Sequence, residues 1–400
     1  MLELPPLALY VHLPWCVRKC PYCDFNSHQA TGALPETEYI AALRRDLDRE
    51  LAWVQGRTLD SVFFGGGTPS LFSAAAIGAV LDHIANRIGF AADAEITLEA
   101  NPGTAEAERF RDYRRAGVNR LSIGIQSFDD AALAALGRIH SGNQAVRAVE
   151  LAQAAGFTRV NIDLMHGLPG QTETGAVADL EQALALNPGH ISWYQLTLEP
   201  NTAFYRRPPA LPPETVLEAI TRSGSAVLGA AGYRQYEISA YATAGQDSRH
   251  NRNYWEFGDY LGIGAGAHGK LTDPASGRIV RRRKTRQPQN YLAAAEPCVA
   301  SDDIPDAERP LEFLMNALRL TEGVPTGYFS ARAGLPEQVL ERAWAALVAQ
   351  GLLEPLGQRL AATPLGSRFL DTILERWVTS SGSGPDSVSP STRGVNAHSG

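Results

Sequence analysis

Cys16, Cys20 and Cys23 fall in the run Cys-x3-Cys-x2-Cys, directly after the apolar residues 7–12. Thiolates are soft ligands suited to iron–sulfur clusters, and a loop at a strand end lets three of them meet one cube. Three thiolates hold three irons of a [4Fe–4S] cluster and leave the fourth iron open. That asymmetry is what radical chemistry on S-adenosylmethionine (SAM) requires, because the open iron can chelate the amino-acid end of the cofactor. Zinc is the rival reading, since zinc closes a tetrahedron with a fourth Cys or His. The remaining cysteine, Cys298, is far off in sequence, which leaves His12 and His28 as nearby fourth ligands.

The elements that must position this loop are legible as apolar runs alternating with amphipathic stretches. The runs are 7–13, 61–64, 95–99, 120–125, 159–165 and 191–198, rich in Val, Ile, Leu and aromatics. The stretches are 38–53, 74–88, 105–116, 130–136 with 145–155, and 174–186. Strand and helix alternating six times predicts an α/β fold with a parallel sheet, arranged as a partial (β/α)6 barrel with its chemistry at the C-terminal ends of the strands.

Unusual residues stand at those ends. The cysteine loop follows the first run, Gly65-Gly-Gly-Thr-Pro69 the second and Glu99-Ala-Asn-Pro102 the third. Gln126-Ser-Phe128 closes the fourth, Asp163 and His166-Gly-Leu-Pro-Gly170 belong to the fifth, and Thr197-Leu-Glu-Pro200 closes the sixth. Each has a bland alternative: a glycine triplet often marks only a tight turn, and Glu99, Gln126, Asp163 and Arg138 are residue types that are mostly exposed. Gly65–Gly67 is neither a phosphate loop nor a dinucleotide fingerprint. Its use would be close approach of backbone groups to a small zwitterion. Together, at consecutive strand ends, these residues define a site.

The chain has 400 residues, enough for two or three domains, and a formal net charge of −7, which argues against a nucleic-acid partner. Four cysteines, three of them in one motif, fit a reducing compartment and not a disulfide scaffold. Neither a signal-peptide pattern nor an apolar stretch of about twenty residues occurs, so a cytoplasmic protein without an integral membrane segment is expected.

The segments Tyr10-Val-His-Leu-Pro14, the cysteine run with Tyr22, Gly65–Pro69, Glu99–Pro102, Gly124-Ile-Gln-Ser127, Asn161–Gly170 and Gln195-x3-Glu199 resemble the radical SAM family of HemN and HemW in motif, order and spacing from about residue 7 to 375. The resemblance implies that Cys16, Cys20 and Cys23 ligate the cluster. It implies that Tyr10 lies next to SAM and that Tyr22 approaches the adenine through its backbone. Gly66, Gly67 and Thr68 would meet the methionyl end, Glu99, Gln126 and Asp163 would contact methionine or ribose, and Arg138 would pair with the SAM carboxylate through its forked donors.

Two departures point to the HemW branch. The oxygen-independent coproporphyrinogen oxidases carry a fourth cysteine two residues after the third, where this chain has Phe25, and they carry a longer N-terminal extension. Arg249-His-Asn-Arg-Asn-Tyr-Trp255 resembles the HNxxYW element of that branch, whose members bind haem and pass it to haem-requiring membrane proteins. His250 offers an imidazole for haem iron, and Tyr254 and Trp255 offer flat faces for a porphyrin; the bland alternative is a capping histidine with two core aromatics. Ala240 stands where related chains commonly have Asn. His268 is a further candidate near the ligand, with close backbone packing as the alternative reason for the glycines before it. The basic run Arg278, Arg281, Arg282, Arg283, Lys284 and Arg286 either faces haem propionates or an acidic partner, or is a solvated face.

The expected function is haem chaperoning with a cluster and SAM. The alternative is an enzyme in which a 5′-deoxyadenosyl radical abstracts hydrogen from coproporphyrinogen III. The haem recipient, membrane-bound or not, and the oligomeric state, a homodimer included, stay open at this level, and contact with a membrane would be peripheral. The expected domains are 1–297, the radical SAM core with the haem motif; 298–378, mostly helical and winged-helix-like, with helices over 308–320, 336–350 and 363–378 and a hairpin between the last two; and 379–400, a disordered tail rich in Ser, Gly and Pro.

Overall fold

The computed structural model describes residues 2–104 and 107–378. The expected tail, 379–400, lies outside the described residues. Six parallel strands follow the predicted order: β1 (Leu7–Leu13), β2 (Leu59–Gly66), β3 (Phe90–Ala100), β4 (Arg120–Gln126), β5 (Val160–His166) and β6 (His190–Gln195). They are joined by helices α1 (Glu36–Glu50), α2 (Ala74–Arg87), α3 (Ala107–Arg115), α4 (Asp130–Ala135), α5 (Gly142–Ala154) and α6 (Glu173–Ala185). The helix starts follow capping chemistry: Ser73, Asp129, Ser141 and Thr172 each accept a hydrogen bond from the backbone three residues on, and Ser141 with Gln144 completes a capping box.

Alternate residues of each strand divide two environments, as the pleat requires. Leu9 and Val11, Val62 and Phe64, Ile96 and Leu98, Leu121, Ile123 and Ile125, and Ile162 and Leu164 pack outward against the helices in one large apolar core. The residues between them face the barrel lumen, which is unusually polar: Ser61, Thr97, Ser122, Asn161, Asp163, His190 and Ser192 are all buried. Strands that read from sequence as simple apolar runs are therefore apolar on one face only.

The sheet continues beyond the barrel. After helix α7 (Glu214–Ala230), β7 (Arg234–Glu237) and β8 (Ala240–Ala242) pair antiparallel at the β6 edge. Helix α8 (Arg249–Trp255) carries the His-Asn-x-x-Tyr-Trp element, and β9 (Asp259–Ile263) then runs parallel to β1. Strands β10 (His268–Asp273), β11 (Arg278–Lys284) and β12 (Cys298–Asp303) complete a twelve-stranded sheet in the order β12-β11-β10-β9-β1-β2-β3-β4-β5-β6-β8-β7. Its last strand lies just beyond Pro297, where the sequence pattern changes.

Helices α9 (Arg309–Ala317) and α10 (Gln338–Ala349) form the C-terminal part. Leu353 bridges Ala362 in the expected hairpin, while Arg359–Leu360 pairs with Val324–Pro325. The helix expected over 363–378 is instead three short turns, interrupted where Phe369 leaves helical geometry (φ −127°, ψ 37°). This part shares a second apolar core with α8: Phe313, Leu314, Phe329 and Trp344 join Tyr254, Trp255, Phe257 and Tyr260. Arg319 lies over the Trp255 ring at 4.1 Å and donates to Glu237 at 3.3 Å, a cation–π contact and ion pair that hold the two parts together.

Candidate functional site

The cysteine loop is tied down at both ends. Trp15–Cys16 pairs in parallel with His28–Gln29, and Asn26 donates to the carbonyls of Ala265 and Arg286, at 2.9 Å each. Gly67 N and Thr68 N donate to the carbonyls of Leu13 and Trp15. A side chain at Gly67 would meet the Trp15 carbonyl oxygen at 2.5 Å. One at Gly66, where φ is +119°, would meet the His12 ring at 2.5 Å. The glycines are thus required for close approach and not only for a turn.

Above the strand ends lies a cavity of about 600 Å³. Cys16, Cys20 and Cys23 border it together with Tyr22, Gly66, Gly67, Thr68, Glu99, Gln126, Arg138 and Asp163. Of the residues expected at the cluster and SAM, Tyr10 alone is not on this wall. It is buried, its hydroxyl bonds His12 Nδ1 at 3.0 Å, and it packs on Phe63 behind the glycine segment. His12, a candidate zinc ligand, has its ring nitrogens engaged by Tyr10 and by the Asn26 carbonyl, and burial pushes its pKa down to about 4.

The polar groups hold one another in place. Arg138 Nη2 donates to Asn101 Oδ1 (2.5 Å) and the Gly124 carbonyl (2.6 Å), and Nη1 reaches Cys20 Sγ (3.7 Å). Asn101 donates to Thr68 Oγ1 (2.8 Å), Gly66 N donates to Glu99 Oε2 (3.1 Å), and Tyr194 donates to Gln126 Oε1 (2.7 Å). Gln126 itself has φ 73°, a left-handed conformation that is costly for a non-glycine residue and that falls at this strand end.

Burial raises the Cys16 thiol to about 11 and the Cys23 thiol in the same direction, so in the cluster-free chain both are protonated at neutral pH. Burial, and then the charge of Asp163, raises Glu99 to about 8; burial raises Asp163 to about 6. A carboxylate whose folded pKa is raised stabilises the fold at low pH and loses that contribution as pH climbs through the folded value. Asp163 is mostly ionised by pH 6.5, and the histidines that burial lowers, His12, His140, His166 and His250 among them, make stability rise as the unfolded chain's ordinary histidines lose their protons near 6.5, equally in the native chain and in Glu99→Gln. Between pH 6.5 and 8, therefore, the cluster-free native chain is expected to lose melting temperature relative to Glu99→Gln; a difference between the two proteins that does not change with pH counts against it.

The residues fit an iron–sulfur cluster and SAM. The donor set is three thiols around one hollow, and among the described residues no three His, Cys, Asp or Glu side chains converge as ligands of a single ion. Arg138 Nε is buried without a protein partner, a donor left over for a carboxylate. Glu99 and Asp163 supply acceptors for an ammonium and for hydroxyls. When bound, a cluster with one open iron supplies the electron for reductive cleavage of SAM.

Sequence reasoning missed Asn101, Ser122, Met165, Tyr194 and Asn201 on the cavity wall, where Phe25, Arg18 and Arg286 also stand. Their signal was position alone: most lie at or just past strand ends. The rest of the basic run is paired with acids: Arg278 and Arg283 lie on an exposed face, as the solvated reading expects, and Arg281, Arg282 and Lys284 are partly or fully buried. Arg278 pairs with Asp303, Arg281 with Glu312, Arg282 with Glu50, Arg283 with Asp302, and Lys284 is buried between Asp46 and Glu50. His268 is exposed and off the cavity wall, and the glycine before it serves backbone packing, since a side chain at Gly262 would meet the His268 carbonyl oxygen.

His250, Tyr254 and Trp255 are not brought to the cavity. They lie on α8 near the start of β2, and all three are buried. His250 Nδ1 bonds Ser61 Oγ (2.9 Å), Nε2 bonds the Tyr254 hydroxyl (3.0 Å), and the ring stacks on Phe63. The imidazole and aromatic faces that the sequence offers to a haem are thus covered in this fold, which corrects the expectation of an accessible haem ligand.

A partial (β/α)6 barrel with three thiols, a glycine segment and paired carboxylates at its strand ends defines a radical SAM protein. Two family profiles agree: one described as "Radical SAM superfamily" matches residues 10–183 and one described as "HemN C-terminal domain" matches residues 304–369. The solved structure of coproporphyrinogen III oxidase (HemN) from Escherichia coli superposes with TM-score 0.79 over 94% of this chain and 91% of that one, at 22% identity. "Heme chaperone HemW" of Escherichia coli strain K12 is 51% identical over 94% of this chain and 99% of the relative. The protein of that name from Haemophilus influenzae is 50% identical over 95% of this chain and 100% of the relative. This chain belongs to the HemW family.

Proposed function

We propose that this chain is a haem chaperone, which binds haem and hands it to haem-requiring proteins while holding a [4Fe–4S] cluster and SAM at its strand ends. The observation that carries the reading is the likeness, along nearly the whole chain, to relatives named for that role. Phe25 supports it: an apolar ring stands on the cavity wall at the position where the resemblance places a fourth cysteine in the porphyrinogen oxidases. The recipients are haem proteins, membrane respiratory proteins included. No helix among the described residues is long and apolar enough to cross a membrane, and the reading places the chain in the cytoplasm or peripherally at the inner face of the membrane. A homodimer is compatible with this role.

His250 remains the proposed iron ligand, with Tyr254 and Trp255 against the porphyrin, in a core whose sheet runs on through β12 and is followed by a mostly helical part. Because all three side chains are buried and His250 and Tyr254 are hydrogen-bonded, haem ligation requires α8 to leave its seat, and the interactions with haem must offset the packing and hydrogen bonds that hold the helix there. The competing reading is oxidative decarboxylation of coproporphyrinogen III. An anaerobic incubation of the cluster-loaded chain with SAM, reductant and coproporphyrinogen III, beside a genuine oxidase, separates the two. No protoporphyrinogen is expected; its formation at the oxidase's rate would overturn the chaperone reading.

A further inference from the structure

The polar lumen below the cavity holds a hydrogen-bonded chain whose direction the geometry fixes. Asn161 Oδ1 accepts from the backbone N–H of Ser192 (3.1 Å), and a backbone N–H can only donate, so that atom is the amide oxygen. Asn161 Nδ2 therefore donates, to Asp163 Oδ1 (2.6 Å) and Ser122 Oγ (2.8 Å). His190 Nδ1, 2.5 Å from the same amide oxygen, must carry the proton. Burial and the charges of Arg120 and Arg159 push the His190 pKa well down, so the ring is neutral and its Nε2 accepts from the Tyr236 hydroxyl at 2.9 Å. Tyr236 in turn accepts from the backbone N–H of Ser248 at 3.3 Å.

Every donor in the series Ser248, Tyr236, His190, Asn161 points toward the Asp163 carboxylate on the cavity wall. Ser248 is the N-cap of α8, so the series runs from the cavity to the helix that carries His250, Tyr254 and Trp255. All five residues are buried. Hydrogen bonds in series polarise one another in a low-dielectric interior, so the charge available on the terminal acceptor sets the strength of the whole chain.

We propose that Asn161, His190 and Tyr236 form a directional relay that positions Asp163 and couples occupancy of the SAM cavity to the seating of α8. A SAM donor on Asp163 draws on the same carboxylate charge that holds Asn161. The relay weakens, the Ser248 anchor loosens, and α8 opens more often. The inference rests on the cavity being the SAM site and is independent of whether haem is the ligand of α8. Asn161, His190 and Tyr236 are positioning residues, since none of them lines the cavity.

The test is hydrogen–deuterium exchange of residues 249–255 in the cluster-loaded full chain, with and without SAM, at SAM saturation verified by equilibrium dialysis in the same sample. SAM should speed exchange there about five-fold or more, the lower end of ordinary coupling between sites. Tyr236→Phe removes one hydroxyl from the relay with little change of shape, and should leave SAM binding in place while reducing the effect below about two-fold. Ser61→Ala, which trims the seat of His250 without touching the relay, should retain the SAM effect. Unchanged or slowed exchange in the native chain, or the full native acceleration in Tyr236→Phe, would overturn the proposal; saturation by SAM keeps such a failure separate from failure of the cofactor reading.

Discussion

Replacing Cys20 by serine is expected to cost the chain its cluster and, with it, SAM binding. Cys20 is one of only three thiols on the cavity wall, and its sulfur lies 3.7 Å from an Arg138 nitrogen; the same guanidinium binds Asn101 and the Gly124 carbonyl. A serine oxygen is a hard ligand that cannot replace a soft thiolate on iron, and among the cysteines only Cys298, which belongs to β12, remains outside the loop. Iron per chain after anaerobic reconstitution should drop from about four to below about one, with loss of the broad sulfur-to-iron absorption. The substitution is nearly isosteric at a half-buried position, so stability in the cluster-free state should stay within about 0.5 kcal/mol. Full iron content in Cys20→Ser would remove this residue as a ligand. Stoichiometric zinc in the native chain, without iron, would restore the zinc alternative.

The second large effect is expected at Glu95, far from the cysteines. This carboxylate is buried at the start of the lumen, where it accepts from Arg159 (2.9 Å), from the backbone N–H groups of Arg249 (3.2 Å) and His250 (3.1 Å), and from Ser248 Oγ (3.5 Å). The buried Arg120 lies 4.0 Å away, its two terminal nitrogens without protein partners. Glu95→Ala leaves the buried Arg120 guanidinium uncompensated, leaves the partly exposed Arg159 with the Asp247 carbonyl, and strips the first turn of α8 of its acceptor. Removing one member of such a buried set costs about 3–5 kcal/mol, a large share of the ~5–15 kcal/mol that holds a domain folded. Urea unfolding should show the midpoint displaced accordingly, with faster amide exchange across 249–255. A loss below about 1 kcal/mol would mean that the lumen relaxes or hydrates around the two arginines and that Glu95 does not seat α8.

The cavity is readable from sequence because its residues are local features: a loop after β1, a glycine segment after β2, and single polar residues closing β3, β4 and β5. Each interrupts a strong period where the strand ends. The lumen is not readable, for the same physical reason in reverse. Ser61, Arg120 and His190 near strand starts, and Glu95 midway along β3, belong to strands whose outward residues dominate the pattern, so the runs look apolar and the inward alternation passes for noise. Their partners arrive from β7 and α8, far along the chain. The burial of His250 escapes the sequence because a helix of seven residues gives no periodicity from which burial can be read. The basic strand β11 likewise reads as a free surface because its acids lie on α1, β12 and α9, elements that adjoin it only after folding.

These placements separate two ends of one barrel, the cofactor cavity at the strand ends and the α8 element at the opposite side of the lumen. Whether this chain carries haem is decided by an anaerobic haem titration of the cluster-loaded, SAM-saturated full chain, followed at the Soret band beside His250→Ala. Saturable binding near one haem per chain is expected in the native protein, and a shifted or lost band in His250→Ala with SAM binding kept. Absence of saturable haem binding in the native chain would contradict the chaperone reading, and an identical spectrum in His250→Ala would remove that histidine as the iron ligand.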